Sequence, residues 1–177
     1  MHYLQIKTRV GVRQRLNPLW LVPATIAIDQ LTKLVVRHTM MRGLPVEVLG
    51  DFFRLTYIHN PGAAFGLNLG SPLLHTVVSV VALGVLVHLY RTMEPGERLL
   101  RFGLSLVLGG AVGNIIDRVY LHEVVDFFDF GFGSLRWPIF NFADIFVTTG
   151  VFLLFWGYSR SEASGTDGKT ADVSTRE

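Results

Sequence analysis

The sequence contains no cysteine. That excludes disulfide scaffolds, thiolate metal sites and cysteine nucleophiles together. Charge is scarce as well: Asp, Glu, Lys and Arg make up 17% of the 177 residues, against roughly 25% in a typical soluble domain. No uninterrupted polar stretch is long enough to build a water-soluble catalytic domain. The net charge of +2 gives no footprint for nucleic acid, so no such partner is expected. The histidines, at positions 2, 38, 59, 75, 88 and 122, are scattered without ligand-like spacing, and neither a metal nor another cofactor is expected. A Gly-x-Ser-x-Gly elbow, a phosphate loop and a dinucleotide fingerprint are all missing, and Ser71, Ser79 and Ser105 have no nearby base to activate them.

What is abundant is apolar sequence. Hydrophobic residues reach 50% and gather in blocks close to the roughly 20 residues that a helix needs to cross a hydrocarbon layer. The blocks run over 19–36, 72–90, 102–116 and 138–157. The fold class is therefore a mainly α membrane protein, a bundle of four transmembrane helices over 19–158. Four crossings return both termini to one side. Outside the spans, ten Lys and Arg fall in the leader, the second connection and the tail, against five in the first and third connections. Positive charge tends to stay in the cytoplasm, so both termini are expected there. The basic leader 1–18 followed by an apolar run could be a cleaved secretory signal, but no small-x-small site precedes Asp29 and further spans follow, so the run reads as a start-transfer helix. The tail 159–177 is Ser, Thr, Gly and charge, the composition of a disordered segment.

The two outer connections differ. From 46 to 58 the chain is β-branched and aromatic around a Gly50-Asp51 turn, which predicts a short hairpin on the membrane surface, an outer β platform over about 44–66. It runs into His59-Asn60-Pro61-Gly62-Ala63-Ala64-Phe65, where Pro and Gly preclude regular structure. The third connection, 117–137, is the acidic one, with Asp117, Glu123, Asp126 and Asp129.

Ionisable groups inside a span cost several kcal/mol by the usual scales, about 2.5 to 3.5 at a helix centre, so each asks for a partner or a function. Asp29 and Lys33 lie four residues apart, share a helical face and can neutralise each other, either as a structural pair or where one of them touches substrate. Gly109 and Gly113 form a small-x-x-x-small face that lets another helix come close. Asn114, Asp117 and Arg118 follow on one side of the same helix end, with a structural and a catalytic role both open. Asp126 sits between Val and Phe neighbours, an apolar setting for a carboxylate. Asp144 lies six residues beyond Pro138, which at about 1.5 Å per residue is roughly 9 Å below the start of the fourth helix. Chain direction brings both groups to the outer face. Neighbouring carboxyls in a low-dielectric site cannot both ionise, so such a pair would offer an acid and a base at once. Asn141, three residues before Asp144, could steady the pair or bind substrate backbone. From these two Asp alone, ion coupling, as in a small transporter or channel subunit, and plain structural pairing stay open beside proteolysis.

Several pieces together resemble a known family, the bacterial lipoprotein signal peptidases or signal peptidase II, which are membrane aspartyl proteases. They are Asp29-Gln30-Leu31-Thr32-Lys33, Asn60-Pro61-Gly62-Ala63-Ala64-Phe65, the stretch 109–118, Val125-Asp126-Phe127 and Phe140-Asn141-Phe142-Ala143-Asp144, in the family's order and spacing across 20–157. The resemblance implies removal of the signal peptide from a diacylglyceryl-modified prolipoprotein, just before the lipidated cysteine, at the inner membrane. It implies that Asp126 and Asp144 are the catalytic dyad, close to the outer leaflet. It also implies that Asp29, Lys33, Asn60, Gly62, Gly109, Gly113, Asn114, Asp117, Arg118, Asn141 and Ala143 position substrate or support the site. The expected partners are diacylated prolipoproteins and membrane lipid, and the expected state is a monomer.

Overall fold

The computed structural model describes residues 17–62 and 71–171. The leader up to residue 16, the Ala63-Ala64-Phe65 end of the second motif and the last six positions lie outside the described residues. Among the described residues, four helices are long and apolar enough to cross a membrane. A 3-10 turn, Pro18–Trp20, leads into α1, Leu21–Thr39. The hairpin follows as β1, Pro45–Leu49, and β2, Phe53–Asn60. Next come α2, Pro72–Thr92, and α3, Arg98–Leu121. After α3 come β3, Val124–Phe132, β4, Leu135–Arg136, and α4, Phe142–Ala171.

The element ends have local causes. Ser71 caps α2 by accepting from Leu74 N at 3.3 Å, and Pro72 takes the first helical position, where its missing N–H costs nothing. His122 ends α3 in the left-handed region at φ 61°, and this sharp reversal starts β3 two residues later. It therefore ties the end of a membrane helix directly to a sheet strand. α3 is the hub, packing on each of the other three helices. Its glycines allow the approach: Gly103 meets the backbone of Gly150 and the Leu153 side chain on α4, while Gly109 meets Thr25 and Val22 on α1. α2 packs chiefly on α3 and shows most of its Leu and Val to the outside, as a lipid-facing helix should.

The sheet is antiparallel in the order β1-β2-β3-β4. The 44–66 platform is thus half of a larger one, because the acidic third connection forms β3 and β4. Val124-Val125-Asp126-Phe127-Phe128 is strand-like in its apolar residues, and the charge that argues for a loop is neutralised across the sheet. Asp129 accepts from Thr56 Oγ1 at 2.7 Å and pairs with Arg54 and Arg136. Val36, Tyr57, Val125 and Phe127 form a core that glues the sheet to α1.

Three boundaries differ from the sequence expectation. α3 is longer than 102–116, since its amphipathic ends continue past the apolar block. α4 begins at Phe142 rather than at Pro138: residues 138–141 stay outside the helix, and Phe127 N and Phe128 N donate to Phe140 O at 3.0 and 2.8 Å. Asp144 therefore lies in the first turn and not 9 Å down the helix. Beyond residue 159, where the composition suggests a disordered tail, α4 runs on to Ala171. Extending an existing helix costs far less than nucleating one.

Candidate active site

The sheet-bearing end of the bundle holds a cluster of buried polar side chains that starts from a helix cap. Asn141 Oδ1 accepts from Asp144 N at 3.1 Å, and Asp144 Oδ2 accepts from Asn141 N at 3.1 Å. This is a reciprocal capping box, with Asn at the cap and Asp three residues on. The next free donor of the turn, Ala143 N, goes to Asp29 Oδ1 at 3.0 Å. A carboxylate from α1 thereby sits on the amino end of α4, where the helix dipole favours negative charge. Asn141 is accordingly a cap residue and does not share a helical face with Asp144.

The cap positions both acids. The Asn141 side-chain amide donates to Asp126 Oδ1 at 2.6 Å, and Asn60 Nδ2 donates to Asp126 Oδ2 at 3.0 Å. Asp144 Oδ1 accepts from Asn114 Nδ2 at 2.9 Å. Asn141 also touches Asn114 Oδ1 at 3.1 Å and Val125 O at 3.2 Å. Every oxygen of both carboxyls is held by an amide, and among the described residues no Lys or Arg forms an ion pair with either. A direct cation would lock a carboxylate in its ionised form; amide donors leave the proton free to be shared. Burial lifts the Asp126 carboxyl to about 7, with the nearby Asp144 charge acting in the same direction, while the bonds from Asn60 and Asn141 and the charge of Lys33 oppose it. Near neutral pH such a group is poised to give or take a proton.

Beneath the two acids lies an ionic layer. Lys33 Nζ reaches Asp29 Oδ2 at 2.9 Å, Asp117 Oδ2 at 2.8 Å and Asn114 Oδ1 at 2.9 Å, so all three ammonium protons are used. Asp117 Oδ2 also accepts from Val125 N at 3.1 Å, which fixes the strand next to Asp126. Arg118 does not pair with Asp117. Its guanidinium lies within electrostatic range of Asp144 and Asp126, and its side chain makes no hydrogen bond with a described residue. Gly113 is where Asp29 and Ala143 close in on α3, and a Cβ there would stand 2.5 Å from Asp29 Oδ2. Gly62, at φ 109°, donates its N–H to Asn60 Oδ1 at 3.0 Å and so orients the amide that holds Asp126. Gly109 is the exception among the candidate residues: it serves the α1–α3 contact away from the acids.

A model of signal peptidase II matches residues 21–160. The chain belongs to this family. It is 45% identical over 132 residues to a lipoprotein signal peptidase of Moorella thermoacetica, covering 74% of this chain and 85% of that one. A second relative of the same name, from Pelotomaculum thermopropionicum, is 43% identical over 77% of this chain and 87% of its own. Among solved structures, one described as a bacterial membrane enzyme at 2.3 Å superposes with a TM-score of 0.75 at 31% identity, covering 83% of this chain and 90% of that one. The chain is thus a bacterial membrane enzyme of the aspartic signal peptidase class, and the transporter alternative gains no support from these relatives.

Sequence reasoning passed over two participants in this signal peptidase's polar cluster. Gln30 Nε2 contacts Asp29 Oδ2, Gly113 O and Asp117 Oδ1 at 3.1, 3.1 and 3.2 Å, stitching α1 to α3. An amide in the middle of an apolar span was the available signal. Val125 takes part through its backbone alone, which no side-chain pattern reveals. Among the described residues no three His, Asp or Glu converge as ligands for a metal ion.

Proposed function

We propose that Asp126 and Asp144 hydrolyse the peptide bond just before a diacylglyceryl-modified cysteine, releasing the signal peptide of a prolipoprotein. One carboxylate takes a proton from water as the water attacks the scissile carbonyl. The other, protonated, donates to the carbonyl oxygen; as the tetrahedral intermediate collapses and its C–N bond breaks, the proton gathered from water passes to the leaving amine and the carbonyl proton returns to the second carboxylate. No covalent intermediate is needed. The observation that supports this best is Asn141, a single residue bonded to both acids, through its side chain to Asp126 and through its backbone N–H to Asp144. Lys33, Asp29, Asp117 and Asn114 form the support that keeps the two strands and helices in register. Asn60 and Gly62 shape the approach to Asp126, and Arg118 supplies positive potential to the pair.

A lipidated substrate reaches such a site sideways from the bilayer. Each buried CH₂ of its chains contributes about 0.8 kcal/mol, so apolar grooves between helices suffice for lipid recognition. The excess of Lys and Arg in the leader, second connection and tail favours cytoplasmic termini, which puts the sheet and the acids at the outer leaflet. The enzyme works as a monomer in this reading. The test is purified protein with a diacylated prolipoprotein and its unlipidated counterpart. Only the first should be cleaved, and Asp126→Asn or Asp144→Asn should lower turnover by roughly 100-fold or more without loss of membrane insertion. Normal turnover in either variant would overturn the dyad.

A further inference from the structure

α2 brings a polar side chain to this end of the bundle that the proposed mechanism does not use. His75 stands in its first turn, on a helix rich in Leu and Val. Both of its ring nitrogens are buried and, among the described residues, neither has a hydrogen-bond partner. The ring packs against Gly62: a Cβ on that glycine would lie 2.5 Å from His75 Nδ1 and 2.8 Å from Cε1. Gly62 donates to Asn60, and Asn60 donates to Asp126, at 3.0 Å in both steps. The imidazole therefore borders the chain of contacts that ends on the dyad.

Leaving a buried donor or acceptor unmatched costs on the order of 1 to 3 kcal/mol. A helix that faces lipid has a simple alternative in Leu or Phe, so an imidazole there needs a use. Its unmet capacity also has a definite form. A neutral imidazole presents one donor and one acceptor on opposite sides of the ring. An ester carbonyl of a lipid could satisfy only the donor, whereas a peptide backbone offers both an N–H and a C=O.

We propose that His75 is a substrate-positioning residue, which hydrogen-bonds the backbone of the signal peptide beside Gly62 and steers the scissile bond onto Asp126 and Asp144. This rests on the dyad assignment and adds to it the element, α2, that holds the peptide.

Two variants and one substrate series test it. His75→Phe keeps a ring and removes both nitrogens; His75→Gln keeps one donor and one acceptor. With a diacylated prolipopeptide, His75→Phe should raise KM about tenfold with kcat little changed, and His75→Gln should recover most of the loss. Thermal stability of His75→Phe should equal or exceed that of the parent, since an unmatched polar group has gone. The same weakening should appear as direct binding of the lipopeptide in the Asp144→Asn background, where hydrolysis plays no part. Failure of the dyad, seen as cleavage by Asp144→Asn, is thus separate from failure here. The parent enzyme alone supplies a check that needs no variant at position 75: replacing successive backbone amides of the peptide by esters should weaken binding severalfold at one position. Unchanged KM and binding in His75→Phe would overturn the proposal. So would an ester series to which the parent is indifferent, or a His75→Gln variant that folds and binds as poorly as His75→Phe.

Discussion

Replacing Asp126 with Asn should change how stability depends on pH, and the size follows from the site. Burial raises the carboxyl from 3.8 to about 7 in the folded chain. Such a rise, at about 1.36 kcal/mol for each tenfold change in acidity, amounts to about 4 kcal/mol. The sign follows from a folded-state value above the unfolded one. The protonated form is favoured by folding, so its stabilising contribution is complete below pH 3.8, declines as pH rises, and is gone above about 7. Asn imitates the protonated acid and cannot titrate. Its own cost is independent of pH: both oxygens of Asp126 accept from amide NH₂ groups, of Asn141 and Asn60, so one side of an Asn must face a donor with a donor, at about 1 to 3 kcal/mol. Equilibrium unfolding in mild detergent, measured for both proteins from about pH 4 to pH 8, separates the two terms. The parent should lose up to about 4 kcal/mol relative to Asp126→Asn across that window. A difference between them that stays flat with pH would show that Asp126 does not hold its proton, and the acid–base division of the dyad would fall with it.

Two further outcomes concern the scaffold. Lys33→Met would leave the buried Asp29 and Asp117 without the ammonium that joins them, and should cost about 3 to 5 kcal/mol in the same unfolding assay; a loss under about 1 kcal/mol would contradict a neutralising role. Gly110→Ala should cost more activity than Gly109→Ala, because the first drives a methyl group into the Ala143 carbonyl, a backbone atom beside Asp144, while the second meets Thr25 and the Val22 carbonyl, away from the acids. We expect about 2 kcal/mol and most of the activity lost for Gly110→Ala, with a comparable loss of stability but less loss of activity at Gly109. The reverse order would mean that the α1 contact, and not the α4 contact, controls the site.

Some of this molecule is written locally and some is not. The four spans are legible because lipid demands about 20 apolar residues in succession, and Asp29, Lys33 and Asn114 stand out because charge and amide are costly there. The hairpin is legible from its β-branched residues and its Gly50-Asp51 turn. β3 is hidden because Asp126 and Asp129 look like loop charge until Thr56, Arg54 and Arg136 are seen beside Asp129, and Asn60 and Asn141 beside Asp126. The start of α4 shows two local signals in competition. Pro138 is suited to a first helical position, yet Asn141 and Asp144 form the complete reciprocal cap, and the residues between them and Pro138 are drawn into pairing with β3. The cap prevails because it satisfies two backbone donors while Phe140 satisfies two more on the sheet. That outcome decides the chemistry: a helix begun at Pro138 would sink Asp144 below the sheet, whereas one begun at Phe142 raises it to the level of Asp126, with the capping residue itself as the bridge between the acids.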